Sequence, residues 1–186
     1  MHPAPFDPAL VQSNRGLPGE HLLQPRVAFH APTSTAVLSF GVVRQGIHHG
    51  RVYLCAGAEV RYRPALELES EDLSLDSALV SAVAPYLFFV RSRWVGSGAT
   101  MARAGEGVVR LELRTGEHDL WQMDAPGAQR WFVAGLVGAS PDARELYAVC
   151  GFRAPSGIGA VEYALATLDW STRTIVRHQA VDAWLF

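Results

Sequence analysis

His48 and His49 are two adjacent imidazoles able to ligate a metal or exchange protons near neutral pH. They lie in Gln45–Gly50 (QGIHHG), one of three glycine-bearing segments that punctuate apolar runs. The others are Val95–Glu106 (VGSGATMARAGE), which carries Arg103 and Glu106, and Arg153–Gly159 (RAPSGIG), which opens with Arg153. Together they supply imidazole, guanidinium and carboxylate groups, a set suited to binding a peptide through charge and hydrogen bonds. Adjacent histidines diverge on an extended chain, and neither His-x-His nor Cys-x-x-Cys occurs, so a metal ligand set is absent from the linear sequence and no cofactor is expected. A hydrolase or lyase is the alternative, with a metal or acid/base site assembled from His48, His49, Glu106 and His118 across separate elements. Gly96-Ser97-Gly98 lacks the strand-to-helix setting of a nucleophilic serine, and Gly105-Glu106-Gly107 and Gly157-Ile158-Gly159 do not continue as phosphate loops.

The elements that would position these groups are strands. Period-two apolar patterns bounded by turn residues cover most of the chain. In the last third, Arg130–Gly138, Glu145–Phe152, Ala160–Asp169 and Thr172–Gln179 are expected strands, joined by a Ser140-Pro141-Asp142 turn and a tight Trp170-Ser171 connection. The middle third repeats this order with Tyr86–Trp94, Gly107–Arg114 and His118–Met123. The first third does so with Thr35–Arg44, Arg51–Ala56 and Glu59–Arg63. Corresponding strands recur at roughly 50 to 60 residues, longer than the ~40 to 50 of common blade repeats. Ser70–Pro85 admits two readings, a capped amphipathic helix or a strand over Ser77–Val83; the repeat favours the strand. Glu67, Glu69, Glu71 and Asp72 then form an acidic connection between units.

Ser140-Pro141-Asp142-Ala143-Arg144-Glu145-Leu146-Tyr147 resembles the strand-opening signature of TolB-type propellers and of the propeller domains of prolyl-oligopeptidase-like peptidases, in which a glycine follows Ser-Pro-Asp. Ala143 stands here instead. Phe29-His30-Ala31-Pro32 and Ala84-Pro85 are shorter copies. Leu111–Glu117 (LELRTGE) is similar to the third-strand ending of such blades, and Thr167–Thr172 is its counterpart. The resemblance implies an all-β fold: a partial or small β-propeller of about three four-stranded antiparallel blades. They would span about 22–68, 73–123 and 128–179, after a Pro/Gly-rich segment at 1–21, with 181–186 starting a further strand. In such a fold the three glycine-bearing segments share one loop face.

Composition narrows the partners. The 186 residues are 49% hydrophobic and 18% charged, with 16 basic against 18 acidic side chains, a net charge of −2. Without a basic block, nucleic acid is a poor partner. No run reaches the ~18 uncharged apolar residues of a membrane span. The start has neither a basic n-region nor an apolar h-region, so the expected setting is cytoplasmic, and Cys55 and Cys150 are expected as buried free thiols. Three blades leave open edges, to be covered by self-association, by a partner chain or by more of a longer gene product. The expected function is thus an interaction module that binds a protein or peptide through its loop face.

Overall fold

The computed structural model describes residues 21–44, 47–57, 63–69, 78–95, 102–122, 130–153 and 161–182. The fold is nearly all β: three antiparallel four-stranded sheets laid one after another, as blades are in a partial β-propeller. The first holds β1 (His21–His30), β2 (Thr35–Arg44), β3 (Ile47–Ala56) and β4 (Arg63–Glu69). The second holds β5 (Leu79–Val80), β6 (Tyr86–Val95), β7 (Ala102–Glu112) and β8 (His118–Gln122). The third holds β9 (Arg130–Ala139), β10 (Glu145–Arg153), β11 (Glu162–Asp169) and β12 (Thr174–Val181). Each sheet is a meander in which consecutive strands are neighbours.

Several boundaries depart from the sequence expectation. β3 begins at Ile47, so His48 and His49 belong to a strand, opposite Val43 and Val42. The last described strand of the first sheet is β4, Arg63–Glu69; of the expected Glu59–Arg63 strand, residues 59–62 lie outside the described residues. Glu67 and Glu69 therefore lie in an edge strand, where Pro64 is tolerated because one side of the strand needs no ladder donor. β5 is limited to Leu79–Val80, opposite Phe88 and Leu87. Val181 closes β12. The segment 1–20, the helix-or-strand residues 70–77 and the terminal 183–186 lie outside the described residues.

The three sheets repeat one hydrogen-bonding frame. Thr35, Tyr86 and Glu145 open the second strand of each sheet and pair with Ala56, Glu112 and Asp169, the last residues of each third strand. One step further, the amides of Gly57, Leu113 and Trp170 donate to the carbonyls of Ser34, Pro85 and Arg144 at 2.8, 2.8 and 2.7 Å. The turns that follow also match. The Glu112 carboxylate accepts from the amides of Arg114 and Thr115 at 2.9 and 2.6 Å, and that of Asp169 accepts from Ser171 and Thr172 at 2.8 and 3.1 Å. Four residues past each carboxylate the chain turns left-handed, at Gly116 (φ 79°) and at Arg173 (φ 56°). Only glycine takes that conformation without cost.

Side-chain parity fixes how the sheets stack. Counting from Thr35, Tyr86 and Glu145, even positions point forward toward the following sheet and odd positions point back. Val37, Val52 and Leu54 of the first sheet thus meet Leu87, Phe89, Val109, Leu111 and Leu113 of the second in one core. Phe88, Val90, Val108 and Trp121 on the other face of the second sheet meet Leu146, Ala148, Cys150, Phe152, Ala164, Ala166, Leu168 and Trp170 of the third. Both cysteines are buried thiols, and burial pushes that of Cys150 up to about 12.

The Ser-Pro-Asp turn closes by side-chain bonding. Ser140 Oγ donates to Asp142 Oδ1 at 2.8 Å and accepts from the Glu145 amide at 3.0 Å, while Asp142 accepts from the Arg144 amide at 3.2 Å. Ala143, where the resembling family has glycine, is left-handed at φ 57° and buried. Glycine there would relieve about 1 to 2 kcal/mol of backbone strain. It would also forfeit about 0.8 kcal/mol of methyl burial and about 0.5 to 1 kcal/mol of chain entropy. The expected outcome in urea unfolding is that Ala143→Gly stays within about 1 kcal/mol of wild type, whereas Ala143→Val, β-branched and too large for the site, loses more than about 2 kcal/mol.

Hydrogen bonds hold two exposed carboxyls below the ordinary 3.8: Asp142 chiefly through Ser140 Oγ and then the Arg144 amide, Asp169 chiefly through the Ser171 side chain and then the Thr172 amide. Their contribution is complete above 3.8 and is lost as pH falls through the lower folded-state values. Asp169→Asn keeps an acceptor but cannot titrate, so its Tm should fall less steeply than that of wild type between about pH 4 and pH 2 in a thermal-melt series.

Candidate functional site

A polar cleft opens between the second and third sheets, at the end where the β7–β8, β9–β10 and β11–β12 turns gather. Arg110 points forward from β7, Tyr86 forward from the start of β6, and Asp119 stands on β8. Trp170 and Arg173 come from the β11–β12 turn, and Asp142 and Arg144 from the β9–β10 turn. The cleft has a volume of about 470 Å³, within the range that holds small ligands or a few peptide side chains.

Trp170 organises the floor. Its ring is buried, edge-on to Phe88 at 5.8 Å and to Trp121 at 5.8 Å, and its indole Nε1 donates to Asp119 Oδ2 at 3.2 Å. Two guanidiniums lie over it, Arg110 with Cζ 4.9 Å from the ring centre and Arg173 at 4.3 Å. Arg110 also covers Tyr86 at 4.8 Å, and Arg173 covers Trp121 at 5.4 Å. Asp119 is shared: it is ion-paired and hydrogen-bonded to Arg173 and stands 3.8 Å from Arg110. Arg144, on the rim, pairs with Asp142 at 3.4 Å. Three guanidiniums against two carboxylates leave the cleft with one excess positive charge, in a setting where cation–π stacking is worth about 0.5 to 2 kcal/mol per contact.

The residues expected from sequence lie elsewhere. His48 and His49 are near the β2–β3 hairpin, Arg103 and Glu106 in the first half of β7, and Arg153 at the end of β10. All five stand at the opposite end of their sheets from the cleft; their side chains fall outside the described residues. His118 opens β8 opposite Leu111. Leu111 is five residues along β7 from Glu106 (111 − 106), a rise of about 17 Å, so these two members of the acid/base quartet are not brought together. His30 is buried, its Nδ1 2.7 Å from Thr33 Oγ1, and its Nε2 has no hydrogen-bond partner among the described residues. His178 is exposed and bonds Thr167 at 2.7 Å. Gly107 has a structural role: a Cβ there would meet the Trp121 carbonyl oxygen at 2.5 Å.

Sequence reasoning did not single out Arg110, Asp119 or Arg173. One signal was available. Aligning LELRTGE with LDWSTRT places Arg173 at the glycine position of the turn, and an arginine held left-handed is strained, so another interaction must offset it.

No family model matches the sequence, and no curated protein matches it. Among solved structures, an oligogalacturonate lyase in complex with manganese is similar at 15% identity with a TM-score of 0.47, over 87% of this chain and 48% of that one. The chain therefore spans about half the length of that protein. The fold described above rests on the sheets themselves.

Asp119 ties both arginines and the indole to one point. Asp119→Ala removes the Trp170 acceptor and the partner of Arg173, which should cost about 1 to 2 kcal/mol in urea unfolding. Asp119→Asn, which retains an acceptor for Trp170, should lose less than Asp119→Ala.

Proposed function

We propose that the protein is an interaction module that binds a protein or peptide, and that the cleft between its second and third sheets receives a carboxylate from that partner. The observation that carries this reading is the state of Arg110. Its guanidinium is positioned by two aromatic rings, while among the described residues it makes no hydrogen bond and its nearest carboxylate is 3.8 Å away. A fork held in place with its donors open is suited to bidentate capture of a carboxylate. Arg144 at the rim adds a second cation on the approach, and Tyr86 and Trp170 offer apolar surface to the adjoining methylenes. The hairpin end that carries His48, His49, Arg103, Glu106 and Arg153 would be available for further contacts with a larger partner.

A carboxylate can come from an acidic side chain or from a chain terminus, and two probes separate these sources. The first is an end-blocked alanine-rich peptide with three glutamates, compared with its glutamine counterpart; the second is an alanine peptide with a free C-terminus, compared with its amide. Calorimetric titration should show that one acid form binds and its neutral counterpart does not. Arg110→Lys, which keeps the charge but loses the fork, should weaken that binding by about tenfold or more. Equal binding of acid and neutral peptides, or an unaffected Arg110→Lys, refutes the reading.

A further inference from the structure

We propose that Arg173 is a positioning residue for the carboxylate site: it occupies Asp119 and thereby keeps Arg110 open to a ligand. The inference rests on the reading of the cleft given above and adds what controls its central guanidinium.

The starting point is the ladder of the second sheet. Arg110 on β7 stands directly opposite Asp119 on β8. Opposite charges in that relation are close enough to pair across the strands. The equivalent pairs in the other sheets are Leu54 with Arg63 and Thr167 with Val176, so the second sheet alone sets a cation against an anion there. Arg110 thus has a carboxylate within reach on the neighbouring strand, yet it does not bond to it. Its nearest approach to Asp119 is 3.8 Å, no hydrogen bond joins the two, and the guanidinium lies instead over the rings of Tyr86 and Trp170 at 4.8 and 4.9 Å.

The groups that hold Asp119 come from the third sheet. Its Oδ2, the oxygen nearest Arg110, accepts from Arg173 Nη2 and from Trp170 Nε1, the latter at 3.2 Å. A self-bonded turn delivers Arg173: the Asp169 carboxylate accepts from the amides of Ser171 and Thr172 and from the Ser171 hydroxyl, and Arg173 follows in a left-handed conformation at φ 56°. Gly116 fills the equivalent place after β7, so the turn itself does not call for arginine. The use of that side chain lies across the junction, where the rings of Trp170 and Trp121, 4.3 and 5.4 Å from its Cζ, support the guanidinium against Asp119. A second guanidinium brought to the same oxygen would be repelled by the first. Without Arg173, Oδ2 keeps only the indole donor, and Arg110 is the nearest cation to replace what was lost. An incoming carboxylate would then have to displace Asp119 from Arg110 before it could bind.

Calorimetric titration of the full chain with the two acid peptides described above tests this. Arg173→Gly, which relieves the left-handed backbone, should bind about fivefold more weakly than wild type, the strength of one partly exposed ion pair. Loss of a positive charge from the cleft would also weaken binding, and two double variants separate these causes. Arg173→Gly/Asp119→Asn removes the carboxylate beside Arg110 and keeps an acceptor for Trp170. Arg173→Gly/Asp142→Asn removes the rim carboxylate and leaves Asp119 in place. Each has Arg110 and Arg144 against one aspartate, the same single excess positive charge as wild type. The first should regain binding to within about twofold of wild type, and the second should remain as weak as Arg173→Gly. That recovery also shows the Arg173→Gly background to be folded. Recovery in both double variants or in neither overturns the inference, as does an Arg173→Gly protein that binds like wild type. A wild type that binds neither acid peptide refutes the carboxylate reading, and this inference with it.

Discussion

The rest of the structure depends on the middle sheet being apolar on both faces. Leu87, Phe88, Phe89 and Val90 are consecutive and all buried, so two point back into one core and two point forward into the other. At about 1.5 to 3 kcal/mol for each fully buried side chain, these four residues supply roughly 6 to 12 kcal/mol of transfer free energy. That is comparable with the net stability of a whole domain. A sheet with one polar face could not serve both neighbours, and the cleft exists only because the second and third sheets are held together by this contact.

How much of this the sequence discloses depends on the physics of each segment. The third sheet was legible because its strands end at residues that bond locally: Ser140 and Asp142 fold the β9–β10 turn with their own side chains, and Asp169 does the same after β11. β3 and β7 were read too short, since Gly50 of QGIHHG and both glycines of ARAGEG resemble turn residues yet remain in the ladder. At Gly107 the absent side chain serves close strand approach instead of a turn. β5 is the converse case. The repeat suggested seven residues of strand, but among the described residues only Leu79 and Val80 pair with β6, and the chain then bends through Ala82–Pro85.

The candidate site was illegible for a different reason. Its members come from five segments between Tyr86 and Arg173, and no linear spacing brings them together. Superposing the repeats shows how the cleft arose. Leu54, Arg110 and Thr167 occupy one equivalent forward position, two residues before the end of the third strand. In the first junction that position is filled by leucine and the interface closes as hydrocarbon. In the second it is arginine, and the residue it meets across the junction is Trp170, where the first junction has Leu113. Substituting an arginine–indole stack for a leucine pair preserves contact between sheets while introducing charge, because a guanidinium can lie flat on a ring and keep its edge toward water.

Arg173 completes this exchange. Its left-handed backbone carries a cost of order 1 to 3 kcal/mol that the glycine at the equivalent Gly116 does not incur. The cost is offset by what the side chain gains there: a partly exposed ion pair with Asp119, worth up to about 1 kcal/mol, and stacking on two indoles, worth about 0.5 to 2 kcal/mol each. With Asp119 engaged by Arg173 and Trp170, Arg110 is left 3.8 Å from that carboxylate and open to the cleft. An arginine at the turn thus does more than replace a glycine: by occupying the local carboxylate, it keeps the neighbouring guanidinium available for a carboxylate from outside.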